Sequence, residues 1–314
     1  MARPKRDRDL ILQIARMRFE AGRSQREIAR SLGVSDATVS RALKEAFDLD
    51  LVEVSVRTPP DRSAELERAL MDRFGLRHAV VVQTQDDPRH TLDVLGRAVG
   101  EALSFELADD MTIGVGDGQS AASVAARMPR LWLNNIEVVP LIGGVGQLDV
   151  ASHPIEVARA MAARLGGRVR QLPAPAVVPD AATAAQIIEA PAVADAFAAM
   201  KRCVVAVVGV GPIDADTSLV RHGALTMSDL DTIAAAGGVG MICARAYDER
   251  GAHIASDLDD RTLAISFDAF KRIPKRWVVG PGLAKAPALC AAFAGAIVTA
   301  CGTDSATARK ILNV

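Results

Sequence analysis

From about residue 78 onward, short runs rich in Val and Ile alternate with Ala-rich stretches of helical periodicity, and this alternation constrains the fold more than any other feature. Runs at 79–83, 111–115, 136–142, 203–210, 276–280 and 296–300 read as strands. The stretches 90–107, 119–128, 154–165, 181–199, 228–236, 284–294 and 304–312 read as helices. Strands separated by helices pair in parallel through crossovers, so the pattern predicts an α/β fold with a doubly wound parallel sheet. Strands buried on both faces read as near-continuous apolar runs, as these do. Half of the chain is hydrophobic and only 4% aromatic, which leaves Ala, Val, Leu and Ile to build the core.

The residues ahead of this region have a different character. Residues 1–44 carry eleven basic and five acidic residues, a net charge of +6, although the whole chain sums to −1. A basic end on an acidic body suits a polyanionic partner, although a solvated charged face has the same composition. Residues 9–46 show helical periodicity broken at Gly22 and Gly33, and Thr58-Pro59-Pro60-Asp61 then acts as a breaker. Ser63–Phe74 places Leu66, Leu70 and Phe74 on one stripe and ends at Gly75, which reads as a connecting helix. The expected organisation is a first domain over 1–57, a linker and connecting helix over 58–76, and an α/β domain over 77–314.

Within the first domain the segment Gln25–Leu43 has the pattern of a helix-turn-helix, of winged-helix-like type. Ser24 and Glu27 have capping-box spacing, Ile28 and Leu32 face inward, and Ala29 is small where two helices cross. Gly33 stands at the turn, where a positive φ costs glycine little. Ser35 caps a second helix whose Val39, Ala42 and Leu43 pack inward. That leaves Asp36, Ala37, Thr38, Ser40, Arg41 and Lys44, with Ser35, to meet DNA in the major groove. Arg16, Arg18, Arg23 and Arg26 suit phosphate contacts, which position without specifying. Asp36 either accepts from a cytosine amino group or favours the helix N-terminus electrostatically. The arm Arg3–Arg8 follows phosphates or a minor groove, or is a solvated tail. An α-hairpin used for protein contacts has the same hydrophobic pattern.

Several classes are set aside. Cys203, Cys243, Cys290 and Cys301 lie far apart in apolar runs, as reduced thiols of a cytoplasmic protein do, and not as disulfides or a zinc site. His78, His90, His153, His222 and His253 have no ligand spacing, so neither a metal nor a cofactor is expected; His153 is the one that could approach a pocket. The basic start lacks the apolar stretch of a signal peptide, and no apolar run is long enough to span a bilayer.

Met111–Ser120 ends one strand and opens a helix through Gly114, Gly116 and Gly118. Such a turn can direct backbone N–H groups at an anion, with Ser120 adding a hydroxyl, or it can be a tight turn and nothing more. Its spacing is not that of a dinucleotide fingerprint.

Over nearly its full length the chain resembles the SorC family of sugar-binding bacterial regulators, often grouped near DeoR. The resemblance rests on the helix-turn-helix, Ile113–Ser120, Val139–Gly144 and Ala162–Gly167 leading to Leu172–Pro175. It continues through Gly237–Gly240 with Tyr247 and Asp248, Val278–Lys285, and Thr303–Ala308. It implies an effector domain similar to sugar-phosphate isomerases such as glucosamine-6-phosphate deaminase, with the ligand above the C-terminal ends of the strands. Carried over, Gly116, Asp117, Gly118, Gln119 and Ser120 would hold a phosphate or its equivalent. Gly143 and Gly144 would line the crevice; Gly282, Lys285 and Asp304 would complete it, with Asp304 also able to cap the last helix. Three departures stand out: Asp117 where the family has an aromatic residue, Ile155 where it has Asn, and Met241 where it has an acid. They shift the expected ligand toward one that is smaller, less hydroxylated or unphosphorylated.

The resulting expectation is a non-enzymatic regulator that binds operator DNA, senses a small-molecule effector (a sugar, polyol or phosphorylated sugar) and assembles as a homo-oligomer, a tetramer by resemblance. The alternative is a phosphosugar isomerase or deaminase carrying a DNA-binding module. That chemistry needs a positioned acid/base pair, and Ile155 and Met241 supply neither member.

Overall fold

The computed structural model describes residues 8–49, 51–52, 61–146, 151–215 and 217–314. The chain divides into two compact units, Met1–Pro59 and Pro60–Val314. Most of the N-terminal arm, residues 3–7, lies outside the described residues.

The first unit contains α1 (Arg8–Phe19), α2 (Gln25–Leu32) and α3 (Asp36–Asp48). Ser24 and Glu27 form the expected capping box, and Gly33 closes α2 in the left-handed region at φ 65°. Ile11, Ile14 and Ala15 of α1, Ile28 and Ala29 of α2, and Val39, Ala42, Leu43 and Ala46 of α3 share one small core. No strand occurs among the described residues of this unit.

The second unit runs α4 (Ala64–Phe74), β1 (His78–Val82), α5 (Pro88–Ser104), β2 (Thr112–Val115), α6 (Gly118–Arg127), β3 (Glu137–Pro140), α7 (Pro154–Leu165) and β4 (Arg168–Val169). It continues with α8 (Ala181–Glu189), α9 (Pro191–Lys201), β5 (Val205–Gly209), β6 (Gly211–Pro212), α10 (Ser218–Arg221), α11 (Met227–Ala235), β7 (Gly238–Ile242) and β8 (Arg245–Asp248). It ends with α12 (Asp257–Asp260), α13 (Phe267–Arg272), β9 (Lys275–Val279), α14 (Ala286–Ala294), β10 (Ala300–Asp304) and α15 (Ser305–Leu312). Seven strands form a parallel sheet in the order β1-β10-β9-β5-β2-β3-β4. Separate apolar cores cover its two faces.

Strand order reverses between β2 and β5. From β2 the chain steps outward through β3 to β4, then returns to pair β5 on the other side of β2. Loops after these two strands diverge to opposite faces and leave a crevice at their C-terminal ends.

Several details depart from the sequence reading, beginning with the short edge strand β4, which none of the six apolar runs covered. The last strand begins at Ala300, not residue 296; Ile297 and Val298 are buried as a lead-in. Pro191 breaks the stretch 181–199 into α8 and α9, because its ring tolerates only the first turn of a helix. The three-stranded antiparallel sheet β6-β7-β8 was not foreseen, since its Gly-rich sequence reads as loop. Finally, the helix read as a connector, α4, packs Leu66 and Leu70 into the core of the second unit. Its Glu67 carboxylate accepts from the Arg62 guanidinium at 2.7 and 2.9 Å and from the Val81 N–H at 2.9 Å.

Candidate effector cavity and nucleic-acid face

In the first unit, Ser35 caps α3 by accepting from the Thr38 N–H at 3.1 Å. Asp36, Ala37, Ser40, Arg41 and Lys44 are exposed and Thr38 is half-buried, while Val39 and Ala42 are fully inward. Arg41 Nε donates back to the Ala37 carbonyl at 3.0 Å, so the guanidinium lies along the outer face of the helix. Arg26, Arg30, Ser35 and Asp36 line a shallow hollow at the start of α3. Cations beside a helix N-terminus form a surface suited to a phosphate oxygen.

In the second unit a cavity of about 120 Å³ lies at the strand-order reversal. Asp117–Ser120 come from the β2–α6 turn and Gly209–Pro212 from the end of β5. Thr217, Ser218, Leu219 and Arg221 close one side, and Met241, Cys243, Ala244 and Lys285 the other. Cys243 and Ala244 form the two-residue tip of the β7–β8 hairpin with φ values of 50° and 59°. Hairpin tips with both residues at positive φ usually carry Asn-Gly; a tip without either residue gives no sequence signal.

Asp117 is the N-cap of α6, yet its side chain makes no capping bond. One carboxylate oxygen instead accepts from the Ser218 hydroxyl at 3.0 Å, tying the glycine turn to α10. Lys285 Nζ donates to Ser120 Oγ at 3.4 Å. Burial pushes the Asp117 carboxyl above its usual range, against the opposing pull of the Ser218 hydroxyl and of the His222 and Lys285 charges. Burial likewise pushes the Lys285 ammonium down, against the attraction of Asp117. Each group is the other's partial compensation for leaving water.

The structure brings Asp117, Gly118, Gln119, Ser120 and Lys285 to this one cavity. The Gly118 N–H is already engaged by the Ser152 carbonyl at 2.9 Å, so it is not a free donor. Gly116 continues the sheet through its N–H to the Val207 carbonyl and does not line the cavity. Gly143 is packed against the Pro175 backbone. Gly144 lines a separate groove with His153, Ile155, Glu156 and Arg159. There His153 Nδ1 accepts the Ile155 N–H at 3.3 Å, which caps α7. Burial holds this imidazole below its usual pKa.

Gly282 and Asp304 lie in a third hollow with Thr84 and Leu283. Asp304 accepts from Thr84 Oγ1, Gly282 N, Thr307 N and Thr307 Oγ1, which places it as a buried junction between β1, β10 and α15. Burial alone would raise its pKa, but these bonds together hold it low. Sequence reasoning missed Ser218, Arg221 and the hairpin tip. Gly209-Val-Gly-Pro212, a glycine-rich strand end, was the one legible signal for the second wall.

A helix-turn-helix joined to an α/β unit with a cavity at its switch point defines a two-domain regulator architecture. The sugar-binding domain family model matches residues 58–313 and a helix-turn-helix domain model matches residues 9–46, and the chain belongs to the SorC-type family of sugar-binding proteins. It is 29% identical over 311 residues to an uncharacterised transcriptional regulator of Escherichia coli K12, YjhU, covering 97% of this chain and 94% of that one. It is 26% identical over 308 residues to the erythritol catabolism regulatory protein EryD of Brucella abortus, covering 98% and 97% respectively. The full-length sorbitol operon regulator SorC from Klebsiella pneumoniae shares its fold, with a TM-score of 0.74, 24% identity, and 97% and 98% of the two chains covered.

Proposed function

We propose that this protein is a transcriptional regulator that binds operator DNA through α3 and is controlled by a sugar or polyol bound in the switch-point cavity. The observation that carries this reading is the cavity itself. It is a pocket of mixed polar and apolar lining built by the two loops that diverge at the strand reversal, in a chain that also presents a helix-turn-helix. Relatives matched along nearly their whole length are named as regulators, one of erythritol catabolism. Regulation, not turnover, is therefore the proposed role, in the cytoplasm. We further infer a homo-oligomer, a tetramer in the fullest form, because paired half-sites raise affinity through effective concentration.

The test is DNA binding with and without effector. Fragments selected from genomic DNA by the full chain should be released or tightened by erythritol, sorbitol or a related polyol or sugar. A coupling of about 1–3 kcal/mol corresponds to roughly 5–150-fold in operator affinity. Arg41→Ala should lower specific affinity by about 1–3 kcal/mol if the guanidinium reads a guanine; unchanged footprinting would remove Arg41 from base recognition. Light scattering should give a multiple of the single-chain mass at concentrations where DNA is bound. A single-chain mass there would sink the assembly.

A further inference from the structure

We propose that Asp117 makes the cavity selective for an uncharged polyhydroxylated effector and excludes phosphate esters from the turn that would otherwise bind them. The proposal rests on the reading of this cavity as the effector site and specifies the chemical class it takes.

Charge placement in the cavity sets this selectivity. Three described residues with acidic or basic side chains line the cavity: Asp117, Arg221 and Lys285. Arg221 is exposed, so water screens it, whereas Asp117 and Lys285 are half-buried with their charged ends in the cleft. The inner part of the cavity is thus already balanced, one carboxylate against one ammonium. Lys285 meets Ser120 at the first turn of α6 through its 3.4 Å bond, and Asp117 stands at the N-cap position of the same helix with its carboxylate turned to Ser218, close enough for the two charges to act on each other.

An anion drawn to the start of α6 and to Lys285 would lie beside a carboxylate. The Asp117 side chain cannot swing clear without breaking its 3.0 Å bond from Ser218 on the opposite wall. A phosphate monoester would leave the cleft with an unbalanced dianion, and besides Lys285 the one cation among the described residues that line it is the exposed Arg221. A neutral polyol leaves the balance intact and can use what is present. The second Asp117 oxygen accepts a hydroxyl proton, Lys285 donates to a hydroxyl oxygen, and Ser120 does either. Gly118 adds to the contrast, because its N–H is taken by the Ser152 carbonyl and so is lost to an anion cradle. The volume, about 120 Å³, suits a small molecule of this kind.

The experiment is calorimetric titration of the full chain with inorganic phosphate, at constant ionic strength, for wild type, Asp117→Asn and Asp117→Ala. Asp117→Asn keeps the shape and a Ser218 partner but removes the charge. It should bind phosphate at least tenfold more tightly than wild type, and adding Lys285→Ala should abolish the gain. Asp117→Ala is the second variant, should the amide disturb the fold; selection of the same genomic fragments as wild type serves as the folding check for each protein. Equal phosphate affinity in wild type and both neutral variants would overturn the proposal, as would tight phosphate binding by wild type. Titration with erythritol and sorbitol separates this inference from the one beneath it. If the neutral variants gain phosphate but no polyol or sugar alters wild-type DNA binding, exclusion of phosphate stands and the regulatory reading fails.

Discussion

Arg245→Met is expected to lower the stability of the α/β unit by about 3–5 kcal/mol, the scale for removing one partner from a buried, hydrogen-bonded charge cluster. Arg245 opens β8 and is 7% exposed. Its guanidinium donates to the carbonyls of Asp259, Thr262, Ala264 and Ile265 and to the Asp259 carboxylate, over 2.8–3.2 Å. Methionine fills much of the volume and satisfies none of these acceptors. Four backbone carbonyls and a carboxylate then lose this donor, although the Ser256 N–H and His253 still reach the Asp259 carboxylate. The damage would extend to the cavity, because the same hairpin carries Cys243 and Ala244 into its wall. Urea unfolding followed by fluorescence of the buried Trp277 is the measurement, against the exposed Trp132 as background. A midpoint within error of wild type would mean that segment 259–265 holds its conformation without the guanidinium.

Gly143→Ala is expected to destabilise the same unit by about 1–3 kcal/mol, the range for forcing an extra carbon into close-packed structure. A β-carbon at 143 would stand 2.3 Å from the Pro175 carbonyl oxygen and 2.5 Å from its carbon, and these are backbone atoms that no rotamer change can clear. Meanwhile the Gly143 N–H donates to the Leu263 carbonyl at 2.8 Å, so the chain is held from the other side too. Relief requires separating residues 143–144 from 174–176, which would open the groove beside His153. Thermal unfolding should show the loss. Because Leu263 lies within the segment that Arg245 clamps, the double variant should lose less than the sum of the two. Full additivity would show the two contacts to be independent.

Much of this molecule was legible in one dimension. Periodicity located the helices of the first unit, and Ser24, Glu27, Gly33 and Ser35 marked their ends, because capping is decided by residues three or four apart. The parallel sheet was legible because strands buried on both faces leave Val/Ile runs that nothing else in the chain imitates. The glycine turn Gly114–Gly118 was legible as a possible anion site for the same local reason. What escaped was long-range. The β6-β7-β8 sheet has no alternating pattern, its strands being glycine-rich or very short. The helix α4 has an ordinary amphipathic stripe that does not say which core will bury it.

The candidate site divides along the same line. By itself the sequence determined that residues 116–120 form a strand-to-helix turn, that Lys285 follows a later strand, and that Arg41 and its neighbours are exposed on a recognition-type helix. These follow from period, capping and strand spacing, which act over a few residues. Only the tertiary structure decided that Asp117 reaches across to Ser218 and shares a cleft with Lys285, while Gly282 and Asp304 turn to a different hollow. Those outcomes depend on the order in which strands assemble: the reversal between β2 and β5 sets residues far apart in the chain side by side. No local preference encodes that order; burial of both sheet faces does.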